Sequence, residues 1–312
     1  MEVKEIDFTR YSSIRIGAKT AVFVIERHDV GAEFVEYQPH TFTSKLPSYS
    51  CHNKVQILNN LTLHVPLACS LLNFVDLASC VRYKNDTLYV IGRANNLLVS
   101  PNVSNLAMLG ESFNYISDIG EYIEMGASVN SLQAFLYFKK YDIRGLEFLK
   151  DLPGVVGALC NMNAGMKDYE IKDTLAQLNI NGQWIDVEHL GLHYRGRDSK
   201  GIIFAARFHK QQGFRKALLH SFSAMRKFHP HKPSCGSCFK NPPNNYAGRL
   251  LESVGLKGFA IRDIAFSTSH ANFLVNLGHA NFDDAIALIG LAKERVYEHF
   301  GIMLECEVKI CK

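Results

Sequence analysis

The chain has 312 residues, of which 47% are hydrophobic and 21% charged, and a formal net charge of +4. That length exceeds what one core ordinarily serves and predicts two or three compact lobes. The mild positive charge suits an anionic small molecule and lacks the dense basic footprint of a nucleic-acid binder.

No apolar run approaches the ~20 residues of a membrane span, so no membrane insertion is predicted. The first residues carry acids rather than the apolar core of a signal peptide. The eight cysteines are scattered, and free thiols in a reducing cytoplasm are expected.

In chain order, Gly17 leads into Ala21-Val-Phe-Val-Ile25, an apolar run of strand length. Residues 32–64 are irregular, with Pro39 and Pro47, and predict a long loop or insertion holding one strand at 54–58. Residues 67–81 are apolar enough for a helix. Thr87-Leu-Tyr-Val-Ile91 is a strand by composition and runs into Gly92-Arg-Ala-Asn-Asn, a loop able to turn main-chain N–H groups towards a phosphate. Extended text follows it, not a helix, so the loop is not of the Rossmann kind. An ordinary tight turn is the alternative.

Residues 103–208 alternate short strands with turns, apart from a helical segment at 130–137. Gly154, Gly157 and Gly165, interleaved with Ala158 and Ala164, leave little side-chain bulk near the main chain. Such a stretch suits a cofactor laid along the backbone, and a helix starting after Pro153 would add its dipole. Close helix–sheet packing demands the same small residues. Tyr194-Arg-Gly-Arg-Asp-Ser199 precedes a strand at 201–208, and residues 211–228 read as a helix and linker.

Then comes Pro233-Ser-Cys-Gly-Ser-Cys-Phe-Lys-Asn-Pro242. Prolines at both ends oppose a continuous helix. Lys240 and Asn241 suit anionic oxygens, although a surface turn has the same composition. Cys235 and Cys238 have zinc-like spacing but no matching second pair, so no metal is predicted. Ala247, Leu250, Leu251 and Val254 fall at helical spacing, with Gly255 as a stop. Residues 270–276 read as a strand. Asn281 caps a helix whose core face is Ala285, Leu288, Ile289, Ala292, Val296 and Phe300, and Gly301 ends it. Residues 304–310 alternate, predicting a strand with Glu305, Glu307 and Lys309 on its solvent side.

Several of these stretches occur together and in one order: Ile16-Gly17, Gly92-Arg-Ala-Asn-Asn-Leu-Leu, Gly145-Leu-Glu-Phe-Leu, Pro153-Gly-Val-Val-Gly, Asn163-Ala-Gly165 and Tyr194-Arg195. Gly236-Ser-Cys-Phe-Lys-Asn-Pro242, Gly255-Leu-Lys-Gly258, His270-Ala-Asn-Phe273 and Leu304-Glu-Cys-Glu-Val308 complete the series. Over about residues 11–310 the chain resembles the UDP-N-acetylenolpyruvoylglucosamine reductase (MurB) family.

The resemblance implies an α+β fold. A two-lobed FAD-binding domain of the vanillyl-alcohol-oxidase/PCMH-like kind (1–103 and 104–212) would carry a third α/β substrate-binding lobe (213–302). Residues 303–312 would return as a strand contributing to the active site. It also implies an FAD-dependent oxidoreductase of peptidoglycan precursor synthesis. NADPH would reduce the flavin, which would pass hydride to C3 of UDP-N-acetylglucosamine enolpyruvate, giving UDP-N-acetylmuramate.

By resemblance, FAD would lie along Ile16 and Gly17, then Gly92, Arg93, Ala94, Asn95, Asn96 and Leu97, and then Pro153, Gly154, Gly157, Asn163, Ala164 and Gly165. Ser237 matches the proton donor to C2. Arg195 and Glu307 match residues at the enolpyruvyl carboxylate, where a glutamate needs a raised pKa. Asn241 matches the diphosphate side, and Lys240 joins it as a substrate contact.

The chain also departs from the family pattern. Gly-Arg-Ala-Asn-Asn replaces the usual Gly-x-Gly-Ser-Asn, and Asp151 replaces a common glycine. Arg197 competes with Arg195 for the catalytic role, with Arg195 preferred because it follows Tyr194. The stretch after Phe208 is too short for a tyrosine-bearing substrate loop, which implies the loop-lacking subclass. A vanillyl-alcohol-type oxidase would lack the Gly-Ser-x-Phe-Lys-Asn block. A non-catalytic flavin-binding protein would be signalled by loss of Ser237, Arg195 or Glu307, and all three are present.

Overall fold

The computed structural model describes residues 2–30, 89–227 and 229–312. The predicted insertion at 32–64, its strand at 54–58, the helix at 67–81 and the first two residues of the strand at 87–91 lie outside them.

The first sheet has four strands in the spatial order Glu2–Asp7, Lys19–Ile25, Leu106–Leu109, Tyr89–Ile91. The outer pair Glu2–Asp7 and Lys19–Ile25 is antiparallel, and the other pairings are parallel. Its core holds Phe8, Val22, Ile91, Ala94, Val99 and Leu106. Cys311 joins them, because the terminal strand Lys309–Cys311 pairs in parallel with Leu97–Val99. The end of the chain therefore closes the lobe that its beginning opens.

The second sheet is antiparallel, in the order Gln183–Asp186, Leu175–Ile180, Ile203–His209, Tyr122–Gly126, Ile116–Asp118. Central Ile203–His209 is buried almost throughout rather than alternating, as a strand covered on both faces should be. Helix Ser131–Lys140 starts at a capping box between Asn130 and Gln133. Its Ala134, Phe135 and Phe138 enter this core. Helix Lys216–Arg226 buries Phe222 against Phe148 and Tyr169 in the same core, and Phe214 joins it.

The third sheet runs Ser234–Ser237, Phe273–Asn276, Ile264–Phe266, Ala260–Ile261, all pairs antiparallel. Helices Ala247–Ser253 and Phe282–Phe300 share its core. The longer helix is capped as expected, with Asn281 Oδ1 accepting from Asp284 N at 2.8 Å and Gly301 left-handed at φ 67°. Its predicted apolar face is buried except at Phe300, which is 38% exposed at the helix end beside His299.

Two strand predictions need correction. The stretch 270–276 becomes a strand only at Phe273, because 270–272 form a turn. The stretch 304–310 is a regular strand only from Lys309.

The lobes share walls. Ile14, Ile16 and Leu98 pack in the third core. Asn276 Nδ2 donates to Ile14 O at 3.0 Å, and Ser234 N to Ser13 O at 3.0 Å.

Candidate active site

Ser237 ends a strand whose register breaks between Ser234 and Ser237. Gly236 makes the break possible, since its φ of 81° is open to glycine at no steric cost. Ser234 Oγ accepts from Gly236 N and donates to Leu274 O, which fixes the kink. On either side of Ser237, Cys235 and Cys238 enter the core, 1% and 0% exposed. Burial pushes the Cys235 thiol up to about 12 and raises that of Cys238 as well. Both act as small core residues.

Asn272, itself buried, holds the next step of the chain. Its Oδ1 accepts from Phe239 N at 3.0 Å, its Nδ2 donates to Phe239 O at 2.8 Å, and its carbonyl accepts from Cys238 N at 2.7 Å.

The C-terminal segment lies against this block. Lys240 N donates to Glu305 O at 2.9 Å, Glu307 N donates to Cys238 O at 2.8 Å, and Phe239 bridges Cys306. This local pairing breaks the simple alternation predicted for 304–310. Glu305 is exposed and binds Lys240 Nζ at 2.6 Å, whereas the Glu307 side chain is only 13% exposed. Burial raises the Glu307 carboxyl above its ordinary range, and Arg195 partly opposes that shift.

Arg195 reaches Glu307 from the middle lobe. Leu192–His193 and Gly196–Arg197 form a hairpin with Tyr194-Arg195 as its two-residue loop. Arg195 takes φ 57°, a left-handed conformation that a turn ordinarily assigns to glycine or asparagine. Such strain persists where surrounding contacts over-determine it. Here Arg195 Nε donates to Glu307 Oε1 at 3.1 Å and Nη2 to Gly165 O at 3.4 Å. Arg197 is turned elsewhere. Its Nε donates to Asn161 Oδ1 at 3.0 Å, Nη2 to Gly201 O at 2.5 Å, and Nη1 to the Ser199 carbonyl and hydroxyl.

Ser237, Arg195 and Glu307 line one cleft of about 480 Å³. A hydroxyl, a cation and a carboxyl whose pKa is raised by burial thus line one cleft. Arg249, Lys257 and Glu252 line the same cleft, with Lys257 Nζ on Glu252 Oε1 at 2.8 Å. The cations Arg195, Arg249 and Lys257 against the carboxyls Glu252 and Glu307 leave a slight positive balance that suits an anion.

Residues 229–311 match the family model described as UDP-N-acetylenolpyruvoylglucosamine reductase, C-terminal domain. The chain is 53% identical over 252 residues to a protein named UDP-N-acetylenolpyruvoylglucosamine reductase from Helicobacter hepaticus, covering 81% of this chain and 95% of that one. It is 43% identical over 307 residues to one of that name from Helicobacter pylori, covering 98% of each.

The chain belongs to the UDP-N-acetylenolpyruvoylglucosamine reductase family. It is an oxidoreductase. The crystal structure of the enzyme of this family from Thermus caldophilus has the same fold, with a TM-score of 0.73 over the full length of both chains at 24% identity. That match fixes the architecture as a multi-lobed α/β fold of the MurB type.

The reductase's glycine-rich segments come together beside the cleft. A Cβ on Gly92 would stand 2.8 Å from Val155 Cγ2, so this loop lies on the start of helix Val156–Asn161. Tyr11 Oη donates to Gly92 O, and Ser13 N donates to Ala94 O. Ala94 takes the left-handed φ of 50° that a glycine would adopt freely, a strain of roughly 1–2 kcal/mol for an L-residue. Asn96 Nδ2 donates to Glu307 O at 3.0 Å, which ties the loop to the catalytic candidate. Asn95 Nδ2 donates to Ser13 Oγ, while its buried Oδ1 has no hydrogen-bond partner among the described residues.

Other residues predicted for cofactor contact are engaged with protein. Ile16 is 1% exposed in the third core, and Gly17, at φ 135°, has Phe8 Cβ 2.6 Å from where its own Cβ would stand. A Cβ on Gly157 would meet that of Ala127 at 2.8 Å, and one on Gly165 would meet Tyr169 O at 2.4 Å. Ala164 is buried, and Asn163 is 0% exposed. Arg93 and Pro153 are exposed; Leu97 and Gly154 are half-buried.

Of the two predicted substrate contacts, Asn241 lines the cleft with its Oδ1 accepting from Ala247 N at 3.0 Å, while Lys240 is bound to Glu305 outside it. Sequence reasoning missed Tyr246, Arg249, Lys257 and His270, all cleft residues. The signal for Arg249 was present: it lies off the apolar face made by Ala247, Leu250 and Leu251.

Proposed function

We propose that the chain reduces UDP-N-acetylglucosamine enolpyruvate to UDP-N-acetylmuramate with NADPH, through bound FAD, in cytoplasmic peptidoglycan precursor synthesis. The observation that carries this reading is the meeting of Ser237, Arg195 and Glu307 in one cleft whose wall adjoins the Gly92 loop. The names of the relatives support the same substrate.

The fit of FAD rests on the Gly92 loop. A buried amide such as that of Asn95, with one polar atom lacking a protein partner, is ordinarily satisfied by a ligand or water. Residues 92–97 and the main chain of 153–165 would hold the cofactor, with Ile16 and Gly17 backing it. Lobes predicted at 1–103 and 104–212 would enclose it, although strand Leu106–Leu109 belongs to the first sheet and helix Lys216–Arg226 to the second core. The rest of the lobe predicted at 213–302, with the segment 303–312, would present the substrate. When bound, FAD supplies hydride equivalents from NADPH to C3 of the enolpyruvyl group.

The chain's own residues do the rest. Arg195 holds the enolpyruvyl carboxylate and stabilises charge developing on it. Glu307, with its pKa raised by burial, can carry a proton beside that carboxylate instead of repelling it. Ser237 Oγ donates the proton to C2. Asn241, whose Oδ1 is taken by the helix start, is left to donate through its amide to the diphosphate, near Arg249 and Lys257.

Ser237→Ala tests the proton step. Flavin reduction by NADPH should survive, while reoxidation by the enolpyruvyl substrate should slow by about 10²–10⁴-fold. Equal loss of both half-reactions would remove Ser237 from the assigned role.

A further inference from the structure

We infer that the side chain of Asn163 is a positioning residue that holds the hairpin carrying Arg195 in place. The inference rests on the reductase reading above and extends it to a residue that never reaches the cleft.

Asn163 is 0% exposed and sits at φ 41° immediately after helix Val156–Asn161 and Met162. Its Oδ1 accepts from the main-chain N–H of Lys172 at 3.1 Å. A main-chain amide can only donate, so this bond fixes which end of the carboxamide is oxygen. The Nδ2 end then faces two acceptors, Glu170 Oε2 at 3.0 Å and the carbonyl of His193 at 3.4 Å.

His193 is the last strand residue before the Tyr194-Arg195 loop. Glu170 pairs with Gly165 in a second small hairpin, and Gly165 O is an acceptor for Arg195. One buried amide thus joins the base of the Arg195 hairpin to the hairpin that receives the other side of the guanidinium. Lys172 Nζ binds Glu170 Oε2 at 2.8 Å and helps hold that carboxylate in place. Because all the polar atoms of the Asn163 side chain are engaged with protein, it can offer a cofactor only its main chain.

The consequence is specific. Arg195 occupies a left-handed position that it keeps only while its surroundings enforce it. Releasing His193 O removes one of those restraints and lets the guanidinium drift from Glu307. A displacement of about 1 Å at a reacting centre costs roughly 10²-fold.

Asn163→Gly is the informative variant, because glycine tolerates the positive φ while removing the side chain that carries the amide. On the holoenzyme, with NADPH and then UDP-N-acetylglucosamine enolpyruvate as probes, flavin content and flavin reduction should match the parent. Substrate-driven reoxidation should fall roughly 10–100-fold. Combining it with Arg195→Ala should add little beyond Arg195→Ala alone, since both act through the same group.

Equal loss in both half-reactions, or losses that multiply in the double variant, would overturn the inference. Should Asn163→Gly fail to fold, Glu170→Ala is read the same way: selective slowing of reoxidation supports the inference, and unchanged half-reactions overturn it. If the parent protein itself does not turn over the enolpyruvyl substrate, the failure lies with the reductase reading.

Discussion

Arg195 and Arg197 stand two residues apart, one in the loop of a hairpin and one in its second strand. Their surroundings predict opposite phenotypes. Arg195→Ala should lower turnover about 10²–10³-fold, as loss of a group that stabilises developing charge does, with little change in Tm. Arg197→Ala removes bonds to Asn161, Ser199 and Gly201. It should cost about 1–3 kcal/mol of stability while folded protein keeps its turnover. Thermal denaturation alongside steady-state kinetics separates the two, and the reverse pattern would exchange their roles.

In the sequence, only the neighbouring Tyr194 favours Arg195 over Arg197. Spacing alone could not choose, because a turn decides which side chain enters a cleft. Glu307 was harder to place. Alternation put it with Glu305 towards solvent, and only pairing with Cys238 and Phe239 separates the two carboxylates.

That burial has a pH consequence. The Glu307 pKa is raised in the folded protein, so within the window from about 4.5 up to that raised value the native state holds more protons than the unfolded one. Stability should therefore fall as pH rises through the window and then level off. Glu307→Gln should lack this fall, and melting curves from pH 4 to 8 would show it. Parallel profiles for the two proteins would mean that Glu307 ionises normally.

At the scale of elements, helix Val156–Asn161 shows why small residues have two meanings. Bulk at Gly157 would test cofactor contact if the glycine faced the flavin. The position of Ala127, 2.8 Å from where its Cβ would stand, shows that this glycine lets the helix meet the second sheet. Gly157→Ala should therefore overpack the contact and destabilise the fold by about 1–3 kcal/mol. Melting with and without added FAD would check this, since a purely cofactor-facing position would change FAD content and leave the apoprotein's Tm alone.

Elements with strong local signals were legible in the sequence. Asn281 and Gly301 bound their helix as expected, and the helical segment at 130–137 appears as Ser131–Lys140. The short strands around the site were not. Their ends are set by side chains from distant segments, such as Asn272 on Phe239, and no local pattern encodes that.

At the scale of the molecule, residues near the chain's beginning, its Ser237 block and its end share one core, and the middle lobe reaches that junction through Arg195 on Glu307. Ordered motifs revealed the family, and several of them, such as Ile16-Gly17, the Ser237 block and Leu304-Glu-Cys-Glu-Val308, lie at that junction. They revealed less about the cleft residues Tyr246, which caps helix Ala247–Ser253, and Arg249, which lies within it, because that segment reads simply as amphipathic.

The most direct test of the whole arrangement is an absorbance spectrum of the purified protein, first under anaerobic NADPH and then with UDP-N-acetylglucosamine enolpyruvate. Flavin bands that bleach with NADPH and return on adding the substrate are the expected result. A flavin that bleaches and stays reduced, or a protein that binds no flavin, would contradict the proposed reaction.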